Sequence, residues 1–168
     1  MFLKIDYIYG GLVSYEFPKM TIIESLQYLT KRKLIMVYAF VIMPNHLHLI
    51  WELSGMNGKE SPKASLVKYT AHEFKKKLIL KATLELSLQD FCVDKDDRQF
   101  EFWQRDALAI PVYTRQVILQ KLAYIHNNPV VKKWDWAPSP EAYRFSSASF
   151  YTTWKDEFGI LISIADLL

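Results

Sequence analysis

The chain has 168 residues, of which 51% are hydrophobic, 15% aromatic and 23% charged, and its formal net charge is +3 at pH 7. This apolar content, with only five glycines and seven prolines, excludes a disordered or fibrous chain. The single cysteine, Cys92, excludes an internal disulfide framework and cysteine-based zinc fingers. We therefore expect a single domain over residues 1–168, with a C-terminal tail from about residue 138.

The apolar runs do not favour a membrane protein. The longest of them, over residues 34–43, is shorter than the roughly 20 residues that a membrane-spanning helix needs. Lys4 and Asp6 interrupt the first apolar stretch, which is unlike a signal peptide. We expect a cytoplasmic protein with no membrane partner.

The hydrophobic patterns predict the following elements in chain order. The first half contains a strand over 1–17, a helix over 21–31 capped by Thr21, and strands over 34–42 and 46–53 joined by a turn at Pro44-Asn45. The second half contains a helix from 62 to about 81 capped by Ser61, an ambiguous segment over 84–98, a strand and turn over 100–113, and a helix over 114–127 capped by Thr114 and ended by Pro129. A loop-rich tail with a short terminal helix follows. This order predicts an α+β fold, a ferredoxin-like antiparallel sheet with helices packed on one face.

Two histidines two residues apart are the most informative pair in the sequence. His46 and His48 lie on a predicted strand, where residues two apart project from the same face. Neutral imidazole is a common ligand of divalent metals, and two imidazoles leave coordination positions for an oxygen ligand and a substrate. The pair therefore indicates a metal site, although buried histidines in structural hydrogen bonds remain the alternative.

A second group of polar residues lies on the helix over 114–127. Tyr124 and Asn128 are four residues apart and share a helix face with Lys121. Beside a histidine pair, these side chains would supply a nucleophile, a metal ligand and a phosphate contact. An ordinary tyrosine at a packing interface would have the same spacing.

Basic residues are grouped along the chain rather than scattered. We expect DNA contacts from Lys31, Arg32, Lys33, Lys68, Lys75 and Lys121. A solvated, lysine-rich helix face is the alternative for the first five. Aromatic residues next to such a surface can stack on unpaired bases, but most of them are expected in the core.

Four motifs together resemble one protein family. They are YAFVIMPNHLHLI at 38–50, FWQR at 102–105, LAYIHNNPV at 122–130 and YRFSSA at 143–148. The first resembles the HUH strand (histidine, hydrophobic residue, histidine) of single-tyrosine HUH transposases, and the others resemble the REP-associated branch of that family. The resemblance extends from about residue 34 to residue 151.

The resemblance implies a metal-dependent transposase, or nicking and joining endonuclease, that acts on single-stranded DNA bearing hairpins or palindromic repeats. By this resemblance, His46, His48 and Asn128 hold Mg²⁺ or Mn²⁺, and Tyr124 attacks the scissile phosphate to form a 5′-phosphotyrosine. A homodimer is possible in this family, and so is a monomer.

Two other functions remain open on the sequence. One is a catalytically silent regulator of the same fold that binds single-stranded nucleic acid. The other is a small histidine phosphoesterase. Such an enzyme would be expected to have a third histidine at position 50 or a second histidine motif downstream, whereas this chain has Ile50 and no such motif.

Overall fold

The computed structural model describes residues 1–6, 16–80, 91–95, 98–104 and 107–167 of the chain. Its strands are β1 (Phe2–Asp6), β2 (Ile35–Ile42), β3 (His46–Leu53), β4 (Cys92–Lys95), β5 (Arg98–Phe100) and β6 (Leu108–Ile110). Its α-helices are α1 (Glu16–Lys31), α2 (Pro62–Leu80), α3 (Arg115–Asn127) and α4 (Ala148–Thr153), and short 3-10 turns lie at Asn128–Val130, Pro140–Ala142 and Ile164–Leu167.

The strands of the described residues form a four-stranded sheet and a separate hairpin of β4 and β5. The order in the large sheet is β2-β3-β1-β6, and every neighbouring pair is antiparallel. Strand β3 therefore lies between β1 and β2, and the chain crosses from β1 to β2 through α1. This is the ferredoxin-like order, and the predicted α+β fold is confirmed.

The two faces of the large sheet carry different helices. Ile5 pairs with Leu47 and lines a cleft with Ala64 and Val67 of α2, so α2 covers the face to which Ile5 and Leu47 belong. Helix α1 lies beside α2, and the Lys77 ammonium of α2 donates to a hydroxyl of α1. Helix α3 contacts β2 and β3 from the opposite face, where the alternation of β3 places His46 and His48. The prediction that the helices pack on one face is therefore wrong for α3, because the sheet has an apolar surface on both sides.

Most predicted boundaries agree with the structure to within a residue or two. The Ser61 hydroxyl accepts from the Ala64 amide at the start of α2, and Thr114 accepts from the Val117 amide at the start of α3. The ambiguous segment contains β4 and β5, while its residues 84–90 and 96–97 lie outside the described residues.

The start of α1 differs from the prediction. The helix begins at Glu16. Glu16 and Phe17, which are the last two residues of the predicted strand over 1–17, are therefore helical. Thr21 is not a cap: it is buried inside the helix, and its hydroxyl donates to the Phe17 carbonyl (2.8 Å). Pro18 fits the first turn because amide groups there have no partner within the helix. Residues 7–15 of the predicted strand lie outside the described residues.

The C-terminal tail covers the free edge of β2. The Ile162 amide donates to the Val37 carbonyl (2.9 Å), and the Ile42 amide donates to the Phe145 carbonyl (2.9 Å). The Tyr143 hydroxyl adds a bond to the Ile42 carbonyl (2.9 Å). The tail thereby satisfies backbone groups that an edge strand otherwise exposes. Among the described residues, no helix is both long and apolar enough to cross a bilayer.

Candidate active site

The two histidines lie at the beginning of β3, on the face that α3 covers. In the β1–β3 pairing, His46 is opposite Asp6 and His48 is opposite Lys4, so all four side chains belong to one face. The imidazole ring centroids are 4.6 Å apart, and both rings are buried. The prediction that the histidines share a face is confirmed.

The hydrogen bonds of His46 define the form of its ring. Burial, more than any neighbouring charge, lowers the pKa of His46 to about 4, so the ring is neutral at pH 7 and carries one N–H. Its shorter contact joins Nδ1 to Asn45 Oδ1 (2.6 Å), and in the tautomer with the hydrogen on Nδ1 the ring donates to that oxygen. The Nε2 lone pair then faces Asn128 Oδ1 at 3.1 Å. His46 Nε2 and Asn128 Oδ1 are then both acceptors. A cation between them would satisfy both, and so would a rotation of the Asn128 amide that turns its NH₂ group towards Nε2.

His48 lies deeper than His46. Burial, followed by the neighbouring His46, lowers the pKa of His48 to about 3. Neither ring nitrogen has a hydrogen-bond partner among the described residues, although the side chain is fully buried. The ring stacks on Phe2 at a centroid distance of 5.3 Å and lies 5.2 Å from the Tyr124 ring. Buried polar atoms are usually paired, so an orphaned imidazole nitrogen here fits a metal ligand.

Tyr124 and Asn128 extend from the other wall of the site. Tyr124 is 51% exposed although its ring contacts His48 and Phe2 of the sheet, whereas Asn128 is buried. Asn128 keeps helical backbone angles (φ −54°, ψ −44°), and its amide donates to the Ile125 carbonyl, although Pro129 follows it. The helical spacing between Tyr124 and Asn128 is therefore maintained beyond the end of α3. Lys121 Nζ lies 5.8 Å from the Tyr124 ring centroid and 4.7 Å from that of Phe2.

His46, Tyr124 and Asn128 border a surface cavity of about 520 Å³, whereas His48 and Lys121 lie next to these residues and outside the lining. Its lining comprises Lys4, Asp6, Asn45, His46, Gln120, Ala123, Tyr124, Asn127, Asn128, Val131, Lys133 and Trp134. Two features of this lining were missed on the sequence. Lys4 and Asp6 form an ion pair (3.0 Å) at the cavity, and their two-residue spacing within an apolar strand was a usable signal. Trp134 lies in a segment that the sequence identified only as tail, and no local pattern distinguished it.

The predicted DNA-contacting residues do not form one surface around the cavity. Lys121 is next to Tyr124, as described above. Lys31, Arg32 and Lys33 lie at and beyond the end of α1, and Lys68 and Lys75 lie on α2, which covers the other face of the sheet. Lys68 pairs with Glu60, and Lys75 lies 4.5 Å from the Phe100 ring centroid. None of these five residues lines the cavity.

The donor set is small. The described residues contain no cluster of three or more His, Cys, Asp and Glu side chains that could hold a metal. The candidate ligands are instead two imidazoles and the Asn128 amide oxygen.

Comparison with known proteins supports the fold. No model of a protein family and no curated protein matches the chain. A solved structure of a REP-associated tyrosine transposase bound to a REP hairpin is similar, with a TM-score of 0.64, 16% identity, and coverage of 94% of this chain and 81% of that one. The chain shares the fold of that transposase. This agrees with the family resemblance seen in the sequence motifs. A candidate transposase from Deinococcus radiodurans R1 also matches, with a TM-score of 0.44, 16% identity, and coverage of 75% of this chain and 87% of that one.

Proposed function

We propose that the chain is a metal-dependent transposase, or nicking and joining enzyme, that acts on hairpin-bearing single-stranded DNA. One observation carries the proposal: an exposed tyrosine borders the same cavity as an imidazole nitrogen and an amide oxygen that face each other at 3.1 Å. A nucleophile, a pair of metal-binding atoms and an adjacent lysine are the components that phosphodiester cleavage needs. The similar transposase was solved with a REP hairpin bound, which supports hairpin DNA as the substrate.

His46, His48 and Asn128 would hold the metal, which we propose to be Mn²⁺ or Mg²⁺. Asn45 would accept the Nδ1 hydrogen of His46 and thereby leave the Nε2 lone pair for the metal. A bound divalent cation would supply charge neutralisation at the scissile phosphate. The low pKa values of both histidines keep the rings neutral at neutral pH, so each ring has one nitrogen whose lone pair is free to bind a metal.

Tyr124 is the proposed nucleophile. Its phenolic oxygen attacks the scissile phosphorus, so a Tyr–O–P bond forms while the bond from phosphorus to the 3′ oxygen breaks. The phenolic proton is released to solvent, the leaving oxygen takes up a proton from solvent and departs as a 3′-hydroxyl, and the phosphate stays on the 5′ side as a phosphotyrosine. Lys121 provides positive charge beside the attacking group. The phosphotyrosine remains a phosphodiester, so a second 3′-hydroxyl can reverse the step and join strands without ATP.

Covalent trapping tests this proposal. A panel of labelled oligonucleotides with varied hairpins and single-stranded flanks is incubated with the protein and Mn²⁺, then separated under denaturing conditions. We expect a protein–DNA adduct that Tyr124→Phe abolishes. Tyr113→Phe is the matched control, because Tyr113 is 87% exposed just before α3 and does not line the cavity.

The alternative function is a silent regulator of the same fold. Tight hairpin binding with no adduct from any probe in the panel, in Mn²⁺ or Mg²⁺, would favour that alternative. An adduct that forms equally well in Tyr124→Phe would show that another residue is the nucleophile.

A further inference from the structure

The cavity extends beyond the residues used in the proposed reaction. Its far wall consists of Val131, Lys133 and Trp134, which we call the tryptophan wall. The Trp134 ring centroid is 5.9 Å from that of His46, and Lys133 Nζ lies 4.7 Å from the Trp134 ring centroid. An indole ring thus lies directly beside the imidazole that we propose as a metal ligand.

A tight turn holds the tryptophan wall in place. The Trp134 amide donates to the Val131 carbonyl (2.8 Å), and the Asp135 amide donates to the same carbonyl (3.0 Å). The Trp136 amide then donates to the Pro129 carbonyl (2.8 Å). Asp135 has a positive φ of 45°, a conformation that aspartate tolerates better than most residues. The turn therefore anchors Trp134 to the segment that also contains Asn128.

The chemistry of the surroundings favours a nucleotide as the ligand. Lys4 and Lys133 line the cavity, where Asp6 is the one carboxylate and is paired with Lys4, and Lys121 lies beside Tyr124, so the local charge is positive and favours an anion. The Gln120 amide faces the same space and can hydrogen-bond to the edge of a base. At about 520 Å³ the cavity is within the usual range for small-molecule sites, and it has room for a base in addition to a phosphate.

We propose that Trp134 stacks on an unpaired nucleobase of the DNA strand, next to the phosphate that Tyr124 attacks, while Lys133 contacts the strand's backbone. The location of this base subsite relative to the cleaved bond rests on the proposed function. Stacking of a base on an aromatic side chain accounts for an affinity change of about 5-fold to about 150-fold on alanine substitution. The subsite would hold the strand by its base and thereby fix the phosphate near Tyr124.

The test uses short DNA and no metal, so that it is independent of cleavage. Binding of dT₄ and dA₄, and of a four-unit abasic phosphodiester of the same charge, is measured by calorimetry in EDTA. The decisive quantity is the ratio of the abasic Kd to the Kd of the base-bearing tetramer. We expect wild type to prefer the bases by at least about fivefold, Trp134→Ala to reduce the ratio to near one, and Trp134→Phe to retain most of it. Trp136→Ala, which alters a tryptophan of the same turn outside the cavity lining, should leave the ratio unchanged.

Each outcome tests the base subsite at Trp134 separately from the proposed cleavage by Tyr124. A wild-type ratio near one, or a ratio that Trp134→Ala leaves unchanged, overturns the base subsite even if the Tyr124 adduct forms. Equal weakening of base-bearing and abasic tetramers in Trp134→Ala also overturns it, because the change would then be a general disturbance of the cavity. A ratio that depends on Trp134 in a protein that forms no adduct would support the subsite while contradicting the proposed cleavage.

Discussion

Replacing His48 by leucine should stabilise the metal-free protein. The imidazole is fully buried, and neither ring nitrogen has a partner among the described residues. The protein therefore bears the desolvation cost of polar atoms that form no hydrogen bond in the fold. Leucine is of comparable size and carries no polar atom, and it would pack against Phe2 and the Tyr124 ring, which now contact His48.

The magnitude follows from the cost of an unpaired buried group, which is about 1–3 kcal/mol. Imperfect packing of the branched side chain opposes the gain by up to about 1 kcal/mol. We expect a net rise of about 1–2 kcal/mol in the free energy of unfolding, or an increase of roughly 2–8 °C in Tm for a chain of this length. The variant should also lose the metal-dependent stabilisation that we expect for wild type, since a ligand that binds only the folded state stabilises it.

The assay is urea unfolding in EDTA and in Mn²⁺, with His126→Leu as the matched control. His126 is also a partly buried histidine, but its Nε2 lies 2.9 Å from the Ser147 hydroxyl, so the same substitution there should cost about 1 kcal/mol. The two substitutions should therefore have opposite signs in EDTA. If His48→Leu destabilises the metal-free protein by as much as His126→Leu does, the His48 nitrogens are not unpaired and the reasoning fails.

Three further predictions concern single side chains. Asn45→Ala should weaken Mn²⁺ binding about 10- to 100-fold in a binding isotherm because it removes the group that orients His46; unchanged affinity would contradict the proposed ligand set. The effect of Tyr143→Phe on the free energy of unfolding should change sign with pH. Burial raises the pKa of Tyr143 from 10.0 to about 12, so the stability that the tyrosine contributes is fully present below pH 10. That contribution falls by about 1 kcal/mol at pH 11 and by about 2 kcal/mol at pH 12. The variant should accordingly be less stable than wild type at pH 7 by about 1 kcal/mol, from the lost bond to Ile42, and more stable near pH 12 in urea unfolding. Thr114→Ala should lower stability by about 1 kcal/mol through loss of the α3 cap, and an unchanged urea midpoint would count against it.

The parts of the fold that the sequence predicted well depend on local signals. Strand β3 begins at His46 because a proline-asparagine turn precedes it, and helix α3 begins after Thr114 because a capping hydroxyl precedes an apolar stripe. The common face of His46 and His48 follows from the period of a strand. The start of α1 could not be found in this way, since Phe17, a residue of high strand propensity, lies in its first turn, and packing of the helix outweighs that propensity.

Long-range placement accounts for what the sequence could not show. The basic clusters at 31–33 and on α2 belong to helices of one face of the sheet, whereas Lys121 belongs to α3 on the other face. Lys121 therefore borders the histidines, whereas Lys68 and Lys75 do not. Trp134 reaches the cavity only because the turn after Pro129 reverses the chain, and this reversal depends on backbone bonds rather than on a sequence motif.

Asn128 shows how the site departs from a local rule. A residue before proline is sterically biased away from helical angles, and on that basis Asn128 would turn away from the face that Tyr124 occupies. It retains helical angles because its amide bonds to Ile125 and its side chain is buried against His46, while the Pro129 carbonyl is held by the Trp136 amide. With extended angles, the amide oxygen would leave the 3.1 Å contact with the imidazole, and the proposed ligand set would lose its third member. The departure from the local preference therefore falls at the residue on which the proposed chemistry depends, as is expected where function, rather than local propensity, determines the conformation.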